Sequence, residues 1–442
     1  MMIDDGGNPY VIEINSLPSL GEHGSYVAAA AAMGMEFPDL VNRLVEVAAA
    51  RYYGTPDPPQ LEVKQADPRE KVFSFITAHR DDMEHSLKRW CAHSSRTSDV
   101  VGRQGVVRDL EKVFQEIRMR AVPRLTNDKV AWLWETRAGF EGGTLVVSQM
   151  DVPFDLTMPY LGFRRDPEWI YGEGIGSVWA PLTMLEYTLR SLRSCRLLKK
   201  VPLGILLYGD EGMDCRYSGD LIHGAVQEVS EVIVLRPSGT GGGVVTERRG
   251  QRKYMLAVEG KPLRIGRTGR YPETLSWTMA RLGELRQLSS RRERTAVSAS
   301  GIQAEAFPNL LPHRATATIL ATFPTRKAGD ELHEKILEVL GKTSLSWSLE
   351  QVSDRPPMKT KKKGNYLLDG LSSIAAEWDM PFTTGSSVWP SVAGLVKAGI
   401  PVVCGMGPVV KDLSTTREAV ERISLIQRTL LLSQFLAAKS AG

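Results

Sequence analysis

Asp151 stands near the end of the stretch LVVSQMDVP, residues 145–153, and the chemistry of the chain is organised around it. Apolar residues leading into a polar turn describe a buried strand that delivers side chains to a pocket at its C-terminal end. Two residues earlier stands Gln149. A His there would make a zinc-binding strand end, with Asp151 orienting the imidazole. The neutral amide oxygen of Gln is a poor ligand for an ion that prefers imidazole, thiolate or carboxylate. A second candidate pair lies near the start, where Glu13 and Asn15 close a strand expected over residues 10–14. A carboxylate and an amide oxygen on one strand face form half a site for a hard cation such as magnesium. The alternative is that both merely cap a turn.

Two glycine-rich stretches have plainer readings. GEGIG, residues 172–176, reads as a turn although it looks like half of a dinucleotide loop. GTGGG, residues 239–243, looks like a phosphate cradle but leads into a strand, so it reads as a hinge between domains.

The elements that must position these residues follow a clear rhythm. Residues 1–54 hold the first strand and a helix over 27–50 broken at Phe37-Pro38, and residues 55–68 are a proline-rich linker. From residue 69, helices expected over 72–92, 105–119 and 180–192 alternate with strands over 130–136, 143–148, 201–208 and 231–235. This alternation predicts an α/β sheet covered by helices. Residues 247–356 change to an α+β pattern, with strands over 253–258, 315–322 and 345–351 and helices over 273–288 and 329–340. The first pattern returns over 357–442, with helices over 366–378, 390–398 and 415–437 and a strand over 401–404. The main domain, 69–246 plus 357–442, is therefore interrupted by a lid placed over the carboxyl edge of its sheet.

Bulk composition excludes several classes. The 442 residues are 42% apolar and 24% charged with net charge +4, which predicts a folded protein of more than one domain. Basic runs at Arg291, Arg292, Arg294 and over 359–363 are local, so they read as solvated loops and nucleic acid is not an expected partner. Cys91, Cys195, Cys215 and Cys404 show no short paired spacing, which fits a reducing cytoplasm. No apolar run reaches a membrane span, and MMIDDGGNPY has no export pattern, so a cytoplasmic location without membrane contact is expected.

Two family resemblances follow from these motifs. EINSLP, residues 13–18, is similar to the closing motif of ATP-grasp ligases of the D-alanine–D-alanine type, over about residues 1–54. That resemblance implies Mg-ATP only together with a nucleotide-binding lobe supplied upstream or by another chain, and no ligase activity for this chain alone. The remainder, about 69–440, resembles the dizinc exopeptidases and deacylases such as aminoacylase, glutamate carboxypeptidase and succinyl-diaminopimelate desuccinylase. The phrases that carry this, in order, are LVVSQMDVP, YGEGIGSVWAPLTMLEYTLRSL, VPLGILLYGDEGMDCRYSGDLI, VIVLRPSGTGG, AVEGKPLRIG, NLLPHRA and GIPVVCGMGPVVKDLSTTREAV. The implied fold is a three-layer α/β domain with an inserted α+β lid that mediates a homodimer.

The resemblance implies five zinc-ligand positions, which fall on Gln149, Ser177, Gly212, Arg236 and Ser414. None is an acceptable zinc ligand, so no metal and no other cofactor is expected in this body. Asp151 and Glu211 are retained, the latter at the position of the family's general base. Arg236 replaces a carboxylate. It either holds a carboxylate or phosphate of a ligand, or pairs with Asp151 or Glu211 and closes the cavity. Arg264 falls at the position of the lid His that completes a partner's site, and Asn309 at that of an Asn gripping substrate carboxylates. The expected function is a metal-free exopeptidase-like domain that binds an amino-acid or peptide ligand in association with an ATP-grasp ligase. The alternative is an active amidohydrolase with a relocated metal on Asp151, Glu211 and Asp214.

Overall fold

The computed structural model describes residues 2–3, 9–10, 20–21, 24–53, 67–238, 240–266, 273–305, 307–361 and 365–440. They form two units, Met1–Lys71 and Val72–Gly442. In the first, Met2–Ile3 pairs antiparallel with Pro9–Tyr10, and helices Ser25–Ala32 and Phe37–Tyr53 follow. The break expected at Phe37-Pro38 comes slightly earlier, where Gly34 takes φ 85°, and Pro38 sits in the first turn of the second helix, where its missing N–H costs little. Glu13 and Asn15 lie outside the described residues.

The second unit is built on a mixed sheet. Its described strands run Met358–Lys359, Val244–Arg248, Val402–Cys404, Glu231–Val234, Thr144–Gln149, Leu203–Tyr208, Ala131–Glu135 and Arg120–Ala121, with Thr384–Ser387 added beside Val244–Arg248. Thr144–Gln149 is central and parallel to both neighbours, Leu203–Tyr208 and Glu231–Val234. All six of its residues are buried, as a strand covered on both faces requires. Successive side chains enter opposite cores: Val146 packs with the helices Val100–Ile117 and Ala180–Ser194, whereas Leu145 and Val147 pack with Ile222 and Val226 of Gly219–Val226. Each such buried Leu or Val contributes about 1.5–3 kcal/mol. Helices on both faces of a sheet make the expected three layers.

Residues 250–355 form a separate antiparallel sheet in the order Ala296–Ala304, Arg314–Phe323, Gly250–Glu259, Ser346–Arg355. Helices Thr274–Arg286 and Arg326–Leu340 supply Leu285, Leu332 and Ile336 to its core against Tyr254, Leu256 and Ile319. Buried and open positions alternate along Gly250–Glu259, the pattern of a sheet with one covered face. Pairing of Gln251 with Arg355 places Arg355 at the base of this lid, where the chain re-enters the main sheet.

Several expected elements are corrected. The helix over 72–92 is two helices, Pro68–Ala78 and Arg80–Trp90, separated at His79, whose ring stacks on Phe75. The helix over 390–398 is only a single turn, Val392–Leu395, because a Cβ at Gly394 would lie 2.0 Å from the Pro356 carbonyl and the backbone there is pressed against its neighbour. The closing helix begins at Arg422, not at 415, since Ala419–Glu421 pairs as a strand with Trp169–Tyr171. The strand Ala296–Ala304 was not expected at all; it is mostly exposed and lacks an apolar rhythm. Among the described residues no helix is long and apolar enough to cross a membrane.

Candidate functional site

The carboxyl ends of three parallel strands converge on one cluster. Asp151 follows Thr144–Gln149 and is fully buried. Its Oδ1 accepts from the Glu211 N–H (2.9 Å), and its Oδ2 accepts from the Gly212 N–H (3.0 Å) and the Thr97 hydroxyl (2.7 Å). These neutral donors favour the anion, yet burial outweighs them and raises the Asp151 pKa. Asp151 is thus an anchor for the turn that follows Leu203–Tyr208. Gly212 is required in that turn: a Cβ would stand 2.3 Å from Thr97 Oγ1.

Glu211, carried by the short 3-10 turn Glu211–Met213, is held differently. Arg355 donates both Nη groups to its two oxygens (3.0 and 3.1 Å), Arg236 Nη1 lies 2.9 Å from Oε1, and the Tyr208 hydroxyl donates to Oε2 (2.9 Å). Burial pushes this carboxylate up, but Arg355 and Arg236 together hold it far below the ordinary carboxylate range. Arg236 also donates to Gln149 Oε1, and Gln149 Nε2 donates to the Asp151 carbonyl (3.0 Å). The Cys215 thiol, 3.4 Å from Glu211, is pushed well up by burial, so it stays protonated. A cavity of about 260 Å³ opens beside this cluster, with Asp214, Cys215, Ser353, Asp354 and Arg355 in its wall.

Ser177 and Ser414 gather at a separate carboxylate. Glu418, 1% exposed, accepts from the N–H groups of Gly176 (2.8 Å), Ser177 (2.9 Å) and Ser414 (2.9 Å), and from the Ser177 hydroxyl (3.1 Å). Burial raises its pKa despite these donors. The first part of GEGIG is a turn at Glu173 and Gly174, the latter at φ 65°, and its last two residues begin a short π-helix, Ile175–Trp179. Of GTGGG, residue 239 lies outside the described residues; Gly241 and Gly242 both take positive φ before Val244–Arg248.

Asp151, Glu211 and Arg236 are therefore brought together, and Arg236 pairs with Glu211. Arg264 and Asn309 are not part of this cluster among the described residues. They are exposed neighbours at the lid's far end, where Arg264 bridges Leu310 and the Ile265 N–H donates to the Asn309 carbonyl (3.1 Å). The Asp214 carboxylate pairs with Lys253 of the lid (2.5 Å), while its N–H donates to the Glu211 carbonyl (3.0 Å). No three His, Cys, Asp or Glu side chains among the described residues group as a metal site. Sequence reasoning missed Arg355, Thr97, Tyr208 and Glu418. Arg355 had one usable signal: it stands immediately before the Pro-Pro pair where the insert rejoins the main domain.

Comparison with known proteins places the body of the chain in a fold class. Human carnosine dipeptidase 1 superposes with a TM-score of 0.64 at 14% identity, covering 85% of this chain and 100% of that one. An M20 family metallo-carboxypeptidase from Sulfolobus solfataricus gives 0.63 at 13% identity over 82% of this chain and 100% of its own. The mixed sheet with its helical layers is the fold of M20-type peptidases and dipeptidases. The N-terminal unit points elsewhere: residues 1–46 match the family described as D-ala D-ala ligase C-terminus. There the D-alanine–D-alanine ligase of Pelotomaculum thermopropionicum is 43% identical over 47 residues, 11% of this chain and 15% of that ligase. The chain spans only 15–16% of the length of the curated relatives it matches.

Proposed function

We propose that the body of this chain is a peptidase-fold domain that binds an amino-acid or peptide ligand beside an ATP-grasp ligase, without zinc-dependent hydrolysis. The observation that carries this reading is the bonding of Glu211. A general base needs a free lone pair and a pKa near the working pH. Glu211 instead spends its oxygens on Arg355, Arg236 and Tyr208 and is held far below that range. The donor set also does not suit a dizinc centre. A guanidinium, an amide, two hydroxyls and a glycine at Arg236, Gln149, Ser177, Ser414 and Gly212 offer no thiolate, imidazole or carboxylate. Gly212 cannot regain a carboxylate without displacing Thr97.

Two guanidiniums share the Glu211 carboxylate, which leaves positive charge beside a cavity of about 260 Å³. That favours the carboxylate of a small ligand. In this reading Arg355 meets the ligand from the cavity wall, Arg236 adds its charge through the shared Glu211 carboxylate, and Arg264 and Asn309 contribute from the lid, in a homodimer that brings one lid to its partner's cleft. A ligase lobe that binds Mg-ATP, in the same or another chain, and a cytoplasmic location complete the proposal.

Elemental analysis of the chain purified without chelator, before and after soaking in zinc or manganese, is the test, run with a dipeptide hydrolysis assay on the same samples. Near-zero metal and no hydrolysis are expected. One or two tightly held ions per chain with dipeptide cleavage would overturn the proposal.

A further inference from the structure

A second, smaller cavity of about 150 Å³ lies between the Thr240–Gly242 turn and the start of the closing helix Arg422–Ala438. It shares no lining residue with the Glu211 cluster, and the function proposed above makes no use of it. Arg428 enters it from the helix. This side chain belongs to a residue only 5% exposed, and its Nη2 donates to the Gly242 carbonyl. Its Nη1 is buried with no hydrogen-bond partner among the described residues. Arg236 and Arg355 share the Glu211 carboxylate, and the buried Arg103 and Arg248, which have no carboxylate, donate to protein carbonyls, a hydroxyl and a thiol. Arg428 has the Gly242 carbonyl alone, and Glu421, which lines the same cavity, makes no ion pair with it among the described residues. Burial alone pulls the guanidinium down to about 10, so it still carries its charge at neutral pH.

A buried charge without a counter-charge is costly and is normally found neutralised. Here Arg428 lines a space large enough for a small guest, since a cavity of this size accommodates a molecule as large as benzene. The walls are mixed, with apolar surface from Met380, Pro381 and Val409 beside the polar groups. Gly241 and Gly242 take successive positive φ angles of 71° and 77°, a conformation that favours glycine, so the turn brings no side chain to the cavity, and Thr383 adds a hydroxyl. A planar guanidinium whose Nη1 has no partner among the described residues matches the oxygens of a carboxylate or phosphate.

We infer that the cavity formed by Gly241, Gly242, Thr383 and Arg428 is a binding site for a small oxyanion, which supplies the counter-charge that the fold itself withholds from Arg428. The anion is a free phosphate or phosphoryl group, or the carboxylate of a small metabolite. Both share the chemistry that Arg428 recognises, and the experiment separates them.

Isothermal titration of the full 442-residue chain in an anion-poor buffer, with inorganic phosphate and separately with acetate, tests the site. Saturable one-site binding of at least one is expected. Phosphate alone assigns a phosphoryl ligand and acetate alone a carboxylate. Arg428→Met is expected to weaken that binding at least tenfold. Arg428→Lys, which keeps the charge but loses the fork, should bind more weakly than the parent while retaining the fold. The thermal midpoint separates this from a purely structural role: anion should raise it in the parent chain and leave it unmoved in Arg428→Met. Absence of saturable binding to the parent chain by either anion, or unchanged binding in Arg428→Met, overturns the inference.

Discussion

Asp151 and Glu211 are buried carboxylates at the ends of adjacent strands, and the fold compensates them in opposite ways. Asp151 meets only neutral donors, two backbone N–H groups and a hydroxyl, and burial leaves its pKa raised. Glu211, its side chain 10% exposed, is also pushed up by burial but faces two guanidiniums, which reverse the direction of its shift. The difference separates architecture from electrostatics. Asp151 fixes the backbone of the 211–212 turn, whereas Glu211 is the counter-ion that lets Arg236 and Arg355 sit inside the protein.

The sharpest way to break this contrast is Arg355→Met. With one guanidinium gone, Glu211 is left partly uncompensated, and urea unfolding should show a loss of about 3–5 kcal/mol. The double variant Arg355→Met/Glu211→Gln should recover part of it, because the stranded charge is removed as well. A single-variant loss under about 1 kcal/mol would mean Arg236 alone suffices.

Asp151→Asn should cost less, about 1–3 kcal/mol in the same measurement, since its amide NH₂ is turned toward at least one donor that the carboxylate satisfied. If it cost more than Arg355→Met, the anchoring role would dominate the cluster and the contrast would invert.

The smallest effect is the pH response. The folded pKa of Glu211 lies below its ordinary 4.5, so its stabilisation is fully present above that pH and is lost as pH falls toward the folded value. Asp151 and Glu418 have raised folded values and act with the opposite sign: their contribution is present at low pH and is lost as pH rises through those values. Glu211→Gln should therefore flatten the fall in stability below pH 4.5, measured as urea midpoints from neutrality downward. An unchanged acid limb would show that Glu211 is not held by the two arginines in solution.

The layers of the main domain were legible because its strands are short, apolar and bounded by turns; LVVSQ carries its burial in its composition. Elements whose conformation is set from outside were not. The turn at 392–395 answers to the Pro356 backbone, and the exposed strand 296–304 depends on its partner 314–323 for nearly all its definition. The site divides the same way. Asp151, Glu211 and Arg236 were visible as motif positions, and one of the two outcomes weighed for Arg236, pairing with Glu211, is the arrangement found. The role of Arg355 was not legible, despite the Pro-Pro pair that follows it, because its partner lies 144 residues away and only the topology of the insert brings them together. Glu418 was missed because its binding groups are mostly backbone amides, which leave no trace in side-chain identity.

The placement of Arg355 also has a mechanical consequence. Arg355 ends the last strand of the lid and Lys253 lies on its first, and they grip Glu211 and Asp214 on one turn of the main domain. The two ion pairs tie the first and last strands of the inserted sheet, at its root, to residues 211–214, so separating that root from the turn would strand Glu211 and Asp214 together with their two cations.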